Sequence, residues 1–233
     1  WYKSADVNDV KGSAVEGLMA LTADTQNNFY AAWLDIRLGK KNNIFFTSRK
    51  AGSKKWNPNT LVYKSPDQHV CECCKPNIAI SNNRLVIGFR NWLMGSRDIY
   101  YAISLNKGKT FGKALKSGAG SWKLDACPMD GGGLAISGNG QVSAAWQRAG
   151  EVYFALASHP EQKIGTGRGV SLAQAKDHSM IAFQDNNNIK VYDSASKAVR
   201  TVGEGGSVKI YILPNRKALC VWENNKNIYS RIL

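Results

Sequence analysis

One short pattern occurs five times along this chain, and no other feature narrows its fold so far. Two small or aliphatic residues precede an aromatic, any residue follows, and a polar residue closes the group. The copies are Ala31-Ala32-Trp33-Leu34-Asp35, Ile87-Gly88-Phe89-Arg90-Asn91, Ala144-Ala145-Trp146-Gln147-Arg148, Ile181-Ala182-Phe183-Gln184-Asp185 and Cys220-Val221-Trp222-Glu223-Asn224. A turn and a second apolar stretch follow each copy, as in Asp98-Ile99-Tyr100-Tyr101 and Glu151-Val152-Tyr153-Phe154, and a third precedes it, as in Asn77-Ile78-Ala79-Ile80. Asn- and Gly-rich turns such as Asn82-Asn83 and Gly138-Asn139-Gly140 punctuate these stretches, as they do in all-β chains.

The central aromatics stand at 33, 89, 146, 183 and 222, so the repeats are 56, 57, 37 and 39 residues apart. Repeats of this size, built as antiparallel meanders, read as propeller blades. A β-sandwich would not repeat one strand order five times. The sequence therefore predicts an all-β, five-bladed β-propeller of four-stranded antiparallel blades, forming one domain over residues 1–233. The blades fall near 15–65, 66–117, 118–165, 166–203 and 204–233 plus 1–5. The opening Trp1-Tyr2-Lys3-Ser4 is similar to Val62-Tyr63-Lys64-Ser65, the outer strand of the first blade. It is expected to close the ring by supplying the missing fourth strand of the last blade, which removes an open sheet edge.

Composition fits a folded chain, with 43% hydrophobic and 21% charged residues. No stretch approaches the roughly 18 uninterrupted apolar residues of a membrane span, so no transmembrane segment is expected. The net charge of +14 favours acidic partners, although lysines scattered along strand edges also block edge-to-edge aggregation. No dense basic run with interleaved aromatics is present, and a nucleic-acid partner is not expected. The chain begins at Trp1 without Met, which reads as a processed or trimmed form.

Ser104-Leu105-Asn106-Lys107-Gly108-Lys109-Thr110-Phe111 resembles the Asp-box turn of sialidase-type (BNR) repeats, S-x-D-x-G-x-T-[WF], with Asn106 at the Asp position. Residues 48–56 form a more degenerate copy. The strings VCECCKPNIAI, GFRNWLMGSRDIYYA and WKLDACPMDGGGLAI are similar to a group of exported bacterial sialidase-like propellers. The resemblance covers most of residues 15–158. It implies a secreted, periplasmic or cell-surface location and a structural role for the Asp-box turn.

In a four-stranded meander, the loop entering the first strand and the turn joining the second and third lie on one face. That face is expected to carry Asp35, Arg37, Arg90, Arg97, Asp98 and Arg148. Its entry loops bring His69, Cys71, Cys73 and Cys74, then Trp122, Asp125, Cys127 and Asp130. Guanidinium groups bind carboxylate, sulfate or phosphate through bidentate charge-assisted hydrogen bonds. Arg37, Arg90, Arg97 and Arg148, with Asp35, Asp98 and Asp130, are therefore the candidate ligand-binding set. Loop-stabilising ion pairs are the competing reading. The resemblance implies that a sialidase would add an acidic proton donor and a Tyr–Glu nucleophile pair. No such pair is expected here, since Glu151 and Glu223 have no evident Tyr partner, and no catalytic residue is assigned.

Cys220 lies inside a strand pattern and reads as a buried free thiol. Cys71 and Cys127 each stand seven residues before the matching positions Ile78 and Leu134. In an exported protein, Cys71, Cys73, Cys74 and Cys127 are expected to form two disulfides of open connectivity, with Cys71–Cys74 and Cys73–Cys127 the less strained choice. The alternative is a copper or zinc site built from these thiolates and His69. No cofactor is favoured otherwise.

Three functions follow as expectations. The first is an exported propeller binding an anionic glycan or a protein partner. The second is an exo-sialidase or other glycoside hydrolase, and the third is a metal-handling propeller.

Overall fold

The computed structural model describes residues 5–67, 69–174 and 178–233, and these form two compact units. The first comprises residues 1–116 and 121–131, the second 117–120 and 132–233. The strand expected over Trp1 to Ser4 lies outside the described residues. Among the described residues there is no helix, and so none long and apolar enough to cross a membrane.

Unit 1 holds two antiparallel four-stranded meanders. The first runs β1 (Met19–Ala23), β2 (Phe29–Asp35), β3 (Asn43–Arg49), β4 (Thr60–Tyr63); the second runs β5 (Asn77–Ser81), β6 (Arg84–Leu93), β7 (Ser96–Ser104), β8 (Leu115–Lys116). Unit 2 holds three more. They are β9 (Gly133–Ile136) to β12 (Gln162–Thr166) through β10 (Val142–Arg148) and β11 (Glu151–Leu156), then β13 (Arg168–Gln174) to β16 (Ala198–Glu204) through β14 (Ser179–Asp185) and β15 (Asn188–Asp193). The last is a three-stranded sheet, β17 (Gly206–Ile212), β18 (Ala218–Asn224) and β19 (Asn227–Ile232).

Each recurring pentapeptide lies in the later part of a second strand, and most of its apolar residues are buried because a middle strand of a stacked sheet has neighbours on both faces. Ala31 to Leu34 in β2 and Ile181 to Phe183 in β14 are at most 4% exposed. Within unit 1 the first strands β1 and β5 touch; within unit 2, β9 touches β13 and β13 touches β17. Sheets in each unit are thus packed face to face through alternating side chains.

The central aromatic of one sheet rests on the outer part of the sheet before it. In unit 2 that place is kept by glycine. A Cβ on Gly118 would lie 2.8 Å from Trp146, one on Gly165 2.8 Å from Phe183, and one on Gly203 2.3 Å from Trp222. In unit 1, Tyr63 at the end of β4 fills the corresponding place, its ring 4.7 Å from Phe89. Across the sheet, Phe89 stacks on Tyr100, Trp146 on Tyr153 and Trp222 on Tyr229, each pair in direct register. Such cross-strand aromatic pairs each add about 0.2–1 kcal/mol.

The turn over 104–111 is held from within. Ser104 Oγ accepts from Gly108 N–H at 2.8 Å, Asn106 Oδ1 accepts from Thr110 N–H at 2.9 Å, and Phe111 packs edge-on against Phe46 at 5.3 Å.

Candidate functional site

In unit 1 two long connectors, residues 64–76 and 121–131, are sewn onto the ends of β6 and β7. Val70 N–H donates to Asn42 O at 2.8 Å and Cys71 N–H to Arg90 O at 2.9 Å. Arg97 N–H donates to Trp122 O at 2.8 Å, and Trp122 N–H to Asp98 Oδ1 at 2.9 Å. Arg90 then locks the second connector: its Nε donates to Asp130 O at 2.8 Å and its Nη1 to Arg97 O at 2.7 Å. These bonds bring Cys71, Cys73, Cys74, Cys127, Arg90, Arg97, Asp98, Asp130 and Trp122 to one end of the unit, as strand order implied.

Cys73 and Cys127 are bridged, with Cα atoms 6.2 Å apart, while Cys71 and Cys74 are buried thiols. Only one of the two expected disulfides is therefore formed. Cys71 Sγ accepts from Arg97 Nη1 at 3.0 Å, and its S–H donates to Cys74 Sγ at 3.1 Å. The Cys74 hydrogen bond, opposed by burial and helped by Arg97, lowers the Cys71 pKa to about 7. The same bond, with burial, pushes Cys74 far above the ordinary thiol range. The sulfurs of Cys71, Cys73 and Cys74 all lie within 4.8 Å of one another, close enough to hold a soft metal ion. With Cys73 in a bridge, two thiols remain, fewer than the four ligands of a structural zinc.

His69 sits edge-on to Trp92 at 4.2 Å and donates from Nδ1 to Val70 O at 3.1 Å. Burial lowers its pKa, so it is neutral at pH 7. Glu72 Oε2 stands 3.7 Å from His69 Nδ1 and 3.6 Å from Arg97 Nη1. Cys220 is a buried free thiol, raised to about 11 by burial.

The four arginines singled out by the sequence all face local partners. Arg37 lies among Asp35 (2.9 Å), Asp9 (2.6 Å), Asn8 (2.5 Å) and Asn59 (2.9 Å). Asp35 is fully buried; burial alone would raise its pKa, but hydrogen bonds from Arg37, Trp33 and Ser13 outweigh that and lower it. Arg90 and Arg97 are 1% and 4% exposed. In unit 2, Arg148 makes a fork-to-fork pair with Glu161 at 3.0 and 2.6 Å. Asp98 is tied to Lys116 at 3.0 Å, and Asp130 is 8% exposed.

A Tyr–Glu pair, not expected from the sequence, is present in unit 2. Tyr153 O–H donates to Glu151 Oε2 at 2.5 Å, and the Arg148 guanidinium lies 3.9 Å from the Tyr153 ring centre. A hydrogen bond from Lys163 holds Glu151 below the usual carboxylate range. Two-residue alternation hides the pair in sequence as an ordinary core pattern. At the matching place in the second sheet, Asp98 gives its oxygens to Trp122 and Lys116 instead.

Unit 2 also carries a groove of about 500 Å³ lined by Gln147, Thr166, Arg168, Gln184, Asp185 and Asn186. Asp185 is neutralised by Lys190 at 2.5 Å. Arg168 is exposed and, among the described residues, has no carboxylate within ion-pair reach. Sequence reasoning passed over it because it follows no second strand. Its signal was the Gly167-Arg168-Gly169 string, in which both glycines take positive φ, 139° and 65°, and so turn the chain sharply on either side of the arginine.

No protein-family model matches this sequence, and no curated protein matches it. Solved structures do. They include the Hadza microbial sialidase Hz136, at 9% identity over 92% of this chain and 56% of that one, with a TM-score of 0.60. U3-55K shares 13% identity over 97% of this chain and 63% of its own, with a TM-score of 0.64. Zg3597, a family 117 glycoside hydrolase of Zobellia galactanivorans, shares 11% over 100% and 88%, with a TM-score of 0.51. The chain thus spans 56% and 63% of the first two structures it matches. At these identities the likeness is one of fold, and the fold is a β-propeller of antiparallel meanders.

Proposed function

We propose that this chain is a carbohydrate-directed propeller on a glycosidase-type scaffold, its five sheets acting as five blades, which takes an anionic glycan into the unit 2 groove. The observation that carries this reading is Arg168, an exposed cation without a carboxylate partner among the described residues, in a groove otherwise lined by amides, a hydroxyl and a neutralised carboxylate. Vicinal sugar hydroxyls both donate and accept, which side-chain amides match, and a guanidinium adds a bidentate contact for carboxylate or sulfate. The volume falls in the ~300–1,000 Å³ range of small-molecule sites. A bridged Cys73–Cys127 pair suits an exported protein.

The Tyr153–Glu151 pair favours a second reading, glycoside hydrolysis of sialidase type. There the phenol oxygen would attack the anomeric carbon as Glu151 takes its proton, the glycosidic bond would break with the aglycone leaving as an alcohol protonated from water, and water would then hydrolyse the glycosyl-tyrosine. Tyr153 and Glu151 share a sheet face with Trp146 and Arg148, whereas Gln147 of the groove points to the other face. The groove therefore supports binding ahead of turnover.

Titration calorimetry with sialyllactose and a sulfated oligosaccharide tests the reading, beside a fluorogenic sialoside assay. Arg168→Ala is expected to weaken binding roughly ten- to a hundredfold, the loss typical of a hydrogen bond to a charged group. Binding that Arg168→Ala leaves intact, or no glycan binding at all, overturns it. Turnover abolished by Tyr153→Phe would establish the hydrolase.

A further inference from the structure

The cysteine cluster of unit 1 belongs to neither reading above, and its geometry is independent of them. Cys71-Glu72-Cys73-Cys74 contains a C-x-x-C pair, Cys71 and Cys74, on a tight turn where Cys74 N–H reaches Cys71 O at 3.4 Å. The two thiols touch at 3.1 Å and are 0% and 1% exposed. Cys71 Sγ is also 3.6 Å from Cys73 Sγ, one sulfur of the bridge to Cys127. Cys73 is half-buried and Cys127 exposed. A buried dithiol thus abuts the inner end of a disulfide whose outer end meets solvent.

We propose that Cys71, Cys73, Cys74 and Cys127 form a thiol–disulfide exchange relay, in which the buried Cys71/Cys74 pair trades its electrons for those of the Cys73–Cys127 bridge. The Cys71 thiolate attacks Cys73 Sγ; a Cys71–Cys73 bond forms, the Cys73–Cys127 bond breaks, and Cys127 leaves as an exposed thiolate. Cys74 then attacks Cys71 Sγ, its proton passing to the departing Cys73 sulfur, which gives a Cys71–Cys74 disulfide. Two thiols and one disulfide exist before and after, so no outside oxidant or reductant is needed. The freed Cys127 thiolate can then attack an external disulfide, forming a mixed disulfide and expelling one thiolate.

Three features suit Cys71 to the first step. Thiolates rather than thiols are the nucleophiles, and C-x-x-C pairs beside cations hold their first cysteine largely ionised near neutrality. Arg97 supplies the cation at 3.0 Å, fixed by its Nε donation to Leu124 O at 3.2 Å and by stacking 4.5 Å over Trp92. Cys74, in contact with Cys71 Sγ at 3.1 Å, is buried and keeps its own proton until the second step. The charged and titratable groups facing Cys71 are Arg97, Glu72, Cys74 and neutral His69, with Arg90 behind Cys74. Burial shields Cys71 from outside reagents, so traffic must pass through Cys127.

The test uses the whole chain and dithiodipyridine, a chromogenic aryl disulfide, without reductant. Two equivalents of thiopyridone per chain are expected, the first expelled by Cys127 and the second as Cys73 resolves the mixed disulfide, leaving Cys71–Cys74 and Cys73–Cys127 both bridged by peptide mass spectrometry. Cys71→Ser should leave Cys127 bridged and unreactive, with an unchanged melt as the check on folding. Arg97→Gln keeps all four cysteines but removes the cation at Cys71 Sγ and should slow the reaction. Labelling of Cys127 that persists in Cys71→Ser overturns the relay, as does a Cys127 silent at every pH in the parent. Four free thiols with stoichiometric copper or zinc would overturn it in favour of a metal site.

Discussion

Unit 2 joins its sheets by single residues, Gly167 between β12 and β13 and Gly205 between β16 and β17. Unit 1 enters its second sheet through residues 64–76, and the β8–β9 connector spans 117–132. The same meander is thus used in two ways. Where connectors are minimal, glycine lets an aromatic of the next sheet lie flat on the last one. Packing then fixes the stack, with a few side-chain bonds such as Ser143 Oγ to Gln174 Oε1 and Ile210 N–H to Ser171 Oγ. Where connectors are long, they carry cysteines and cover two arginines, and a polar lattice takes over part of that task. The longer repeat spacings, 56 and 57 residues against 37 and 39, are the sequence trace of this difference.

The comparison breaks most visibly if the glycine–aromatic seam is not what binds unit 2. Trp222 is 7% exposed and seated on Gly203. Trp222→Ala should cost about 3–5 kcal/mol of unfolding free energy by denaturant titration, the usual loss for a large core aromatic. A loss under about 1 kcal/mol would show that the sheets are held elsewhere.

A smaller effect contrasts two arginines. Arg90→Met removes a buried guanidinium and strands the carbonyls of Asp130 and Arg97, so about 2–3 kcal/mol should be lost. Arg148→Met breaks a partly exposed pair, each side chain 15% exposed, and should cost about 1 kcal/mol or less. Equal losses would erase the distinction between lattice and surface pair. Limited proteolysis of Arg90→Met should cut first within 121–131.

The meander repeat was readable because burial imposes a period of two and turns demand Asn and Gly. The register shifts after Ile44, Val152 and Ile189 were not, since a bulge changes pairing without changing residue type. The grouping of Cys71, Cys127, Arg90 and Arg97 followed from strand order. What strand order cannot give is which partner a long side chain chooses. Arg90 turned to carbonyls, Arg97 to a thiol and Arg148 to Glu161, thirteen residues on. Arg168 escaped notice because a groove is a property of two turns together, and neither is unusual alone.

A pH effect separates the units more finely. Asp35 is depressed in the folded state by fixed partners about a buried carboxylate, whereas Glu151 and Asp185 of unit 2, near the surface, are lowered chiefly by a lysine each, with help from Tyr153 and Thr166. A carboxyl depressed on folding contributes stability that is complete above its unfolded value near 3.9 and lost as pH falls through the lower folded value. Asp35→Asn should therefore flatten the decline in stability below about pH 4, read from denaturant midpoints across the acid range. Glu151→Gln and Asp185→Asn should flatten it less. An acid slope indifferent to Asp35 would place the sensitivity outside the Arg37 cage.

The smallest expected stability change is the most telling for function. Arg168 is exposed, touches no carboxylate among the described residues and lies at the start of β13, so Arg168→Ala should shift the unfolding free energy by no more than about 0.5 kcal/mol. A residue that costs nothing to remove has no structural reason to hold a charge between two turning glycines. If glycan binding nevertheless falls ten- to a hundredfold, the charge is there for a ligand. The effect must also shrink with added salt, because an exposed guanidinium is screened beyond roughly 10 Å at 0.1 M. Arg168→Lys discriminates further: it keeps the charge and loses the fork, so it should restore the salt sensitivity but not the full affinity if carboxylate or sulfate is held bidentately. Affinity fully restored by lysine would mean that the groove offers only a field, and that shape rather than hydrogen-bond geometry selects the sugar.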